Sequence, residues 1–192
     1  MRQAHIVRQT AETSIDLQLT LEGKGSFTGS TGVGFFDHML RAFSVHAGMD
    51  LTLQVRGDLE VDCHHTVEDV GIVLGNALRE ALGDRSGICR FGECRIPMDE
   101  AMSSCVMDIS GRAFLVYECD YTAPAVGDLD TQMVEEFFRA VAFNAGITLH
   151  LHTPYGENDH HKIESQFKAF AHALRRAVTV REGGVLSSKG VL

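Results

Sequence analysis

The chain contains two copies of one short motif, His64-His65-Thr66-Val67-Glu68 and His160-His161-Lys162-Ile163-Glu164. The copies lie 96 positions apart, which is half of the 192-residue length. The sequence is therefore interpreted as a duplicated unit in which each half contributes one His-His-x-x-Glu. Because imidazole and carboxylate groups at such spacing are typical metal ligands, the motif predicts two related metal sites.

The repeat extends beyond the motif. A shift of 96 aligns Ala77-Leu78 with Ala173-Leu174, and a shift of 98 places residues 38–42 on residues 136–140. Two copies with so long a period favour a pseudo-twofold pair of half-domains over a solenoid. We expect one compact unit, residues 1–192, with its halves at about 1–90 and 91–192.

Composition limits the classes of function. The chain is 44% hydrophobic and carries a net charge of −9, so it can bury a core but offers no basic surface to nucleic acid. No run of 18 apolar residues predicts a membrane span, and the N-terminal residues do not resemble a signal peptide. Five cysteines without CxxC spacing are typical of reduced core thiols. We expect a cytoplasmic protein with neither nucleic acid nor membrane as a partner.

Hydrophobic periodicity predicts the elements around the motifs. Alternation predicts strands over residues 15–21 and 51–55, a short strand at 59–61, and in the second half strands near 92–97, 102–109, 113–118 and 147–152. Helical spacing predicts helices from about Phe35, from His65 to Leu82, from about Thr131, and after a cap at Asn158-Asp159. The glycine-rich stretch 23–34 is expected to be a mobile loop. The predicted fold class is α+β, with internally duplicated half-domains, each a small mixed or antiparallel sheet with helices on one face.

Helix geometry separates the adjacent histidines. Residues four apart share a face of a helix, whereas neighbours lie about 100° apart, so His64 and Glu68 can bind one ion while His65 points elsewhere. The same holds for His160, Glu164 and His161. Two metal centres or a subunit boundary would explain each pair, and the ligand types suit Mn, Fe, Co, Ni or Zn.

Several segments together resemble imidazoleglycerol-phosphate dehydratase over nearly the whole chain. They are residues 8–13 (RQTAET), 34–40 (GFFDHML), 62–69 (DCHHTVED), 97–100 (PMDE), 158–164 (NDHHKIE), 167–170 (FKAF) and 187–190 (SSKG). The resemblance implies a ribosomal protein S5 domain 2-like fold and a metal-dependent hydro-lyase of histidine biosynthesis. It further implies two Mn²⁺ per active site and a homo-oligomer of 24 subunits with active sites shared between subunits.

The resemblance also implies the ligand sets. In one site His38, His64 and Glu68 would meet His161 of another subunit. In the other, His65 would meet His160, Glu164 and a ligand at the position of Glu136. Members of that family often carry His there, so Glu136 is a departure. Three alternatives follow for this ligand position. Glu136 binds Mn²⁺ itself, water binds in its place, or His150 or His152 does.

The implied reaction converts imidazoleglycerol phosphate to imidazoleacetol phosphate and water through an imidazolate/diazafulvene intermediate. The hydrogen to be removed has no adjacent carbonyl, so the imidazole ring must act as the electron sink. Glu12 and Glu164 are the candidates for proton transfer. The positions matched to substrate binding are Glu12, Arg90, Arg112, Lys168, Ser188 and Lys189, and the cations among them suit a phosphate.

Two other classes of protein are compatible with the paired motif. A dinuclear metallohydrolase would use the same ligands to activate water, and it would hydrolyse phosphate esters without dehydrating. A metal-storage or metal-sensing protein would bind metal reversibly without turnover. The candidate acids and phosphate-binding cations outside the ligand set favour an enzyme.

Overall fold

Two four-stranded sheets repeat one order of strands along the chain. The computed structural model describes residues 1–190. The first half contains β1 (Gln3–Gln9), β2 (Thr13–Thr20), β3 (Phe27–Ser30), α1 (Gly34–Ala47), β4 (Asp50–Gly57) and α2 (His64–Leu82). The second contains β5 (Phe91–Met98), β6 (Ala101–Asp108), β7 (Phe114–Glu118), β8 (Ala125–Val126), β9 (Leu129–Asp130), α3 (Gln132–Ala145), β10 (Thr148–Tyr155) and α4 (Asp159–Val178).

The order of the strands confirms the predicted fold class. The sheets run β1-β2-β4-β3 and β5-β6-β10-β7, each antiparallel except for a parallel last pair. Alternation decides which face of each strand is buried, because successive side chains point to opposite faces. In β2, for example, Ile15, Leu17 and Leu19 are buried towards the helices while Gln18 faces solvent.

The helices pack across the repeat, α1 against α4 and α2 against α3. Each contact therefore joins one helix of the first half to one helix of the second. Two glycines allow the close approach of α2 to α3: a Cβ added to Gly75 would lie 2.7 Å from the Asn144 Cβ and 2.8 Å from the Val141 carbonyl oxygen, and Gly71 is equally confined. Six buried phenylalanines fill the space among the helices: Phe36, Phe43, Phe137, Phe138, Phe167 and Phe170.

Two local predictions are wrong, and one element was not predicted. β3 lies inside the stretch expected to be a loop, because it forms the parallel edge beside β4 and buries only Phe27, which leaves no alternation to detect. Residues 59–61 form an exposed turn closed by a hydrogen bond from the Val61 amide to the Asp58 carbonyl (2.8 Å). The hairpin β8–β9 was not predicted, since its strands have two residues each. No helix within residues 1–190 is long and apolar enough to cross a membrane.

Candidate metal centre

Three candidate ligands converge where α1 crosses α4. The Oε2 atom of Glu164 lies 3.0 Å from His160 Nε2 and 3.5 Å from His38 Nε2. His160 and Glu164 are one turn apart on α4, and His38 comes from the second turn of α1. One ligand atom from each residue lies within 4.8 Å of the others, the only such group of three within residues 1–190.

Lys168 completes the surroundings of Glu164. Its Nζ lies 2.7 Å from Glu164 Oε1, one turn further along α4. Burial alone would raise the pKa of Glu164, but the hydrogen bonds from Lys168 and His160 and the Lys168 charge hold it below its ordinary 4.5. Glu164 is therefore ionised at neutral pH, with one oxygen facing the imidazoles and the other facing Lys168.

Within one chain, His38 lies with His160 and Glu164 because α1 crosses α4, whereas α2 crosses α3. The resemblance implies a different grouping, in which His38, His64 and Glu68 meet His161 of another subunit. That grouping spans subunits and stays a prediction.

The first motif confirms that adjacent histidines point apart. His64 Nε2 lies 3.7 Å from Glu68 Oε2 on the same face of α2. His65 turns away: its Nδ1 lies 2.9 Å from Asp58 Oδ2, and its Nε2 lies 3.8 Å from Glu12 Oε1. The hydrogen bond to Asp58 raises the pKa of His65 above its ordinary 6.5.

The second motif repeats this arrangement with different partners. His161 Nδ1 lies 2.7 Å from Glu100 Oε2, and its Nε2 lies 3.5 Å from Asp99 Oδ2. The Glu100 carboxylate also accepts the amides of Glu157 and Asn158. The Asn158 amide, followed by His161, lowers the pKa of Glu100 to about 2. In both motifs a carboxylate holds Nδ1 of the second histidine, which leaves Nε2 as its outward nitrogen.

The turn that carries Glu12 is fixed to α2 by a buried carboxylate. Asp69 Oδ1 accepts from Arg8 Nε and Nη2, both at 2.9 Å, and Asp69 Oδ2 accepts from the Thr13 hydroxyl. Asp69 lies one residue after Glu68, so these hydrogen bonds fix the position of the turn relative to the first motif.

Glu136 lies in the cleft between α2 and α3. It lines a cavity of about 610 Å³ together with His64, Asp62 and Tyr117, and its Oε2 lies 3.3 Å from Arg139 Nε. By the repeat, this cleft is the counterpart of the His38 cluster. Alternation places the alternative ligands from β10, His150 and His152, on the exposed face of the sheet, opposite Leu149 and Leu151. Neither lines this cavity, but His152 lines an adjoining one with Glu135.

The candidate phosphate-binding residues fall into two groups. Arg90 donates to both oxygens of Asp108 (2.6 and 3.0 Å) and to the carbonyl of Leu186, and Arg112 lies 3.4 Å from the same Asp108. Ser188 and Lys189 are exposed in the following tail. Lys168 lies far from them, because it contacts Met98 at the opposite end of β5 from Arg90. An eight-residue strand separates these ends by roughly 25 Å.

Sequence reasoning missed the carboxylates that hold these groups. Asp58 and Glu100 orient the second histidine of each motif, and neither lies within a motif. Glu100 entered the sequence analysis only as part of the segment 97–100. The signal available for Glu100 is its position in the second repeat, because β1 and β5 begin 88 positions apart, at residues 3 and 91, which places Glu100 on Glu12.

The duplicated sheets and the two helix clefts define a class of α+β protein in which each cleft takes histidine or carboxylate groups from both repeats. The imidazoleglycerol-phosphate dehydratase sequence profile matches residues 31–174. Proteins of that name from Methanosarcina mazei and Alkaliphilus metalliredigens are 56% and 58% identical to the chain, with 100% and 96% of each sequence covered.

Solved structures agree with these relatives. The imidazoleglycerol-phosphate dehydratase of Staphylococcus aureus superposes with a TM-score of 0.84 at 39% identity, covering 93% of this chain and 99% of that one. The Pyrococcus furiosus enzyme, solved in complex with (S)-C348, gives 0.83 at 35% identity, covering 97% and 100%. The chain belongs to the imidazoleglycerol-phosphate dehydratase family, and it is accordingly a hydro-lyase of histidine biosynthesis.

Proposed function

We propose that the chain is a manganese-dependent dehydratase that uses two Mn²⁺ per active site to convert imidazoleglycerol phosphate to imidazoleacetol phosphate and water. The observation that carries this proposal is the convergence of His38, His160 and Glu164. Family membership supports the substrate and the reaction, and the cluster supports the metal.

The donor groups fit such an ion. Two imidazoles and one ionised carboxylate suit a divalent first-row metal, and no cysteine thiolate lies in the cluster to favour Zn²⁺. His65 and His161 would add their Nε2 atoms, since a carboxylate occupies Nδ1 of each. His64, Glu68 and Glu136 would serve the cleft between α2 and α3.

The carboxylates of the site supply the proton transfers. When bound, the metal would favour the deprotonated imidazole ring of the substrate, which would supply the electrons for loss of the hydroxyl on the carbon attached to the ring. We assign removal of the neighbouring C–H proton from the resulting diazafulvene to Glu12, whose Oε1 lies 3.8 Å from His65 Nε2. This proton balances the hydroxide that leaves, so that the products of the two steps are water and the enol. Glu164 is held by Lys168, so this pair is placed to exchange the second proton as the enol becomes the ketone.

The separation of the cations supports an active site shared between subunits. Within one chain, Arg90 and Arg112 meet at Asp108, which pairs with the first residue of β5, whereas Lys168 contacts Met98, the last residue of β5. Among residues 1–190, the groups paired with the ring nitrogens of His161 are the carboxylates of Glu100 and Asp99. We propose that neighbouring copies in a 24-subunit assembly bring these groups together, with Ser188 and Lys189 joining the phosphate site.

We also propose a cytoplasmic location. Its support is that all five cysteines are free thiols, as is typical of a reducing compartment.

The test removes the metal and then restores it. The mass of the metal-stripped protein is measured in solution, and Mn²⁺ is then added. The mass of the protein is measured again, together with its rate of dehydration of imidazoleglycerol phosphate. We expect a larger assembly and activity from the wild type, and neither from His38→Gln. His5→Gln is the matched control, because His5 is an exposed histidine that pairs with Asp16 outside the site. Phosphate release without dehydration would favour a metallohydrolase, and reversible Mn²⁺ binding without turnover would favour a sensor.

A further inference from the structure

The two repeats differ most in the connection that precedes the first helix of each, α1 or α3. Three residues, 31–33, join β3 to α1, whereas thirteen, 119–131, join β7 to α3. The longer connection, here named the bridging segment (residues 119–131), contains the β8–β9 hairpin. Its hydrogen bonds reach α1 and α4, neither of which adjoins it in the chain.

One end of the bridging segment caps α1. Helix α1 begins after Val33, whose side chain makes no capping hydrogen bond. Instead Asp128 accepts from the amides of Gly34 (2.6 Å) and Phe35 (3.0 Å). A carboxylate here satisfies two otherwise unpaired amides and interacts favourably with the helix dipole.

The other end is held by the first turn of α4. Asp159 Oδ2 accepts from the Thr122 amide and hydroxyl (2.8 and 2.9 Å) and from the Ala123 amide (2.7 Å). Lys162 Nζ donates to Asp159 Oδ1 and to the Asp120 carbonyl, both at 2.8 Å. Asp159 and Lys162 are 6% and 4% exposed, so this anchor is buried.

The first repeat has no equivalent anchor. Ninety-six positions before Asp159 and Lys162 stand Cys63 and Thr66, which carry no charge. Helix α3, the counterpart of α1, is capped locally, by Asp130 accepting from the Gln132 amide (2.9 Å).

We infer that the bridging segment positions the His38–His160–Glu164 cluster. The two positioning residues are Asp128, which lies in the segment and caps α1, and Asp159, which holds the segment from α4. The segment ties the N-terminus of α1, which carries His38, to the N-terminus of α4, which carries His160 and Glu164. The inference rests on the proposed function, because it takes the cluster to be a Mn²⁺ site. Neither residue touches the ion or the substrate; each acts through the helix that it holds.

The test compares Mn²⁺ affinity, measured from free Mn²⁺ by electron paramagnetic resonance, with backbone hydrogen exchange in α1 and α4. Asp128→Ala should bind Mn²⁺ about tenfold more weakly and speed exchange in the first turns of both helices. Asp128→Asn, which keeps one acceptor oxygen, should recover most of the affinity. Thr122→Val weakens the α4 end without removing a buried charge and should have a smaller effect in the same direction.

Asp50→Ala is the matched control. Asp50 likewise accepts two amides and a hydroxyl, from Lys24 and Ser26, but outside the cluster. Its loss should speed exchange only near those residues and leave Mn²⁺ affinity unchanged. The inference is overturned if Asp128→Ala binds Mn²⁺ within twofold of wild type. If the wild type binds no Mn²⁺, the metal proposal fails instead; the segment's role then stands only if Asp128→Ala still speeds exchange in α4, and falls if the change is confined to α1.

Discussion

Gly75→Ala tests how tightly α2 and α3 must approach. The new Cβ would lie 2.7 Å from the Asn144 Cβ, 2.8 Å from the Val141 carbonyl oxygen and 3.1 Å from the Ala145 amide nitrogen. Optimal carbon contacts need about 3.5 Å, and two of these neighbours are backbone atoms that cannot rotate away. The helices must therefore separate.

The magnitude follows from two opposing effects. Overpacking against a rigid backbone costs up to about 3 kcal/mol, whereas replacing glycine by alanine inside a helix returns about 1 kcal/mol. We expect the free energy of unfolding to fall by about 2 kcal/mol. The wider cleft should also weaken Mn²⁺ binding, since α2 carries His64 and α3 carries Glu136.

Urea unfolding followed by circular dichroism, at matched protein concentration, measures the stability of Gly75→Ala. The control is Asn76→Ala on the same helix. It raises helix propensity and removes only a hydrogen bond from the exposed Arg79. Asn76→Ala should change stability by less than about 0.5 kcal/mol. A Gly75→Ala protein as stable as wild type would refute the argument, because helix propensity would then outweigh the contacts with α3.

Three further predictions concern single groups. Glu12→Gln should lower turnover at least 100-fold while Mn²⁺ affinity measured by resonance stays constant; unchanged turnover would remove its role as base. His46 Nδ1 and His172 Nε2 lie 3.0 Å apart, and burial lowers the pKa of both. The unfolded chain then takes up these protons first, so unfolding free energy should fall as pH drops below 6.5, and His172→Gln should flatten that slope. Asp69→Ala should cost about 2–3 kcal/mol in urea unfolding, below the full cost of a broken buried pair because Arg8 can rehydrate; no loss would show that the pair is not needed.

The local geometry of the site was predictable from the sequence. Helical periodicity alone separates His64 from His65 and His160 from His161, and the structure confirms both separations. The shift that aligns residues 38–42 with 136–140 likewise matches α1 to α3. The first relation depends on neighbours along the chain and the second on a repeat within the sequence, so a single sequence contains both.

The partner of His38 was not predictable in this way. Its position beside His160 and Glu164 depends on α1 crossing α4, a contact between segments more than 100 residues apart. The capping of α1 by Asp128 is similarly remote, at 94 residues' separation. Periodicity describes which face of a helix is buried, but it carries no information about which helix will cover that face.

Because the helices pack in a crossed manner, neither half of the chain could form a site alone. Neither repeat contains a complete cleft, because each cleft takes its first-helix ligand from one repeat and its motif from the other. Two separate copies of a half-length chain could pair in the same crossed manner, and each would then lend its His38 to the other's His64 and Glu68. Such a dimer would carry the same residue at both first-helix positions, whereas the single chain has His38 in one repeat and Glu136 in the other. The bridging segment likewise occurs in one repeat alone, which two identical half-length chains could not achieve.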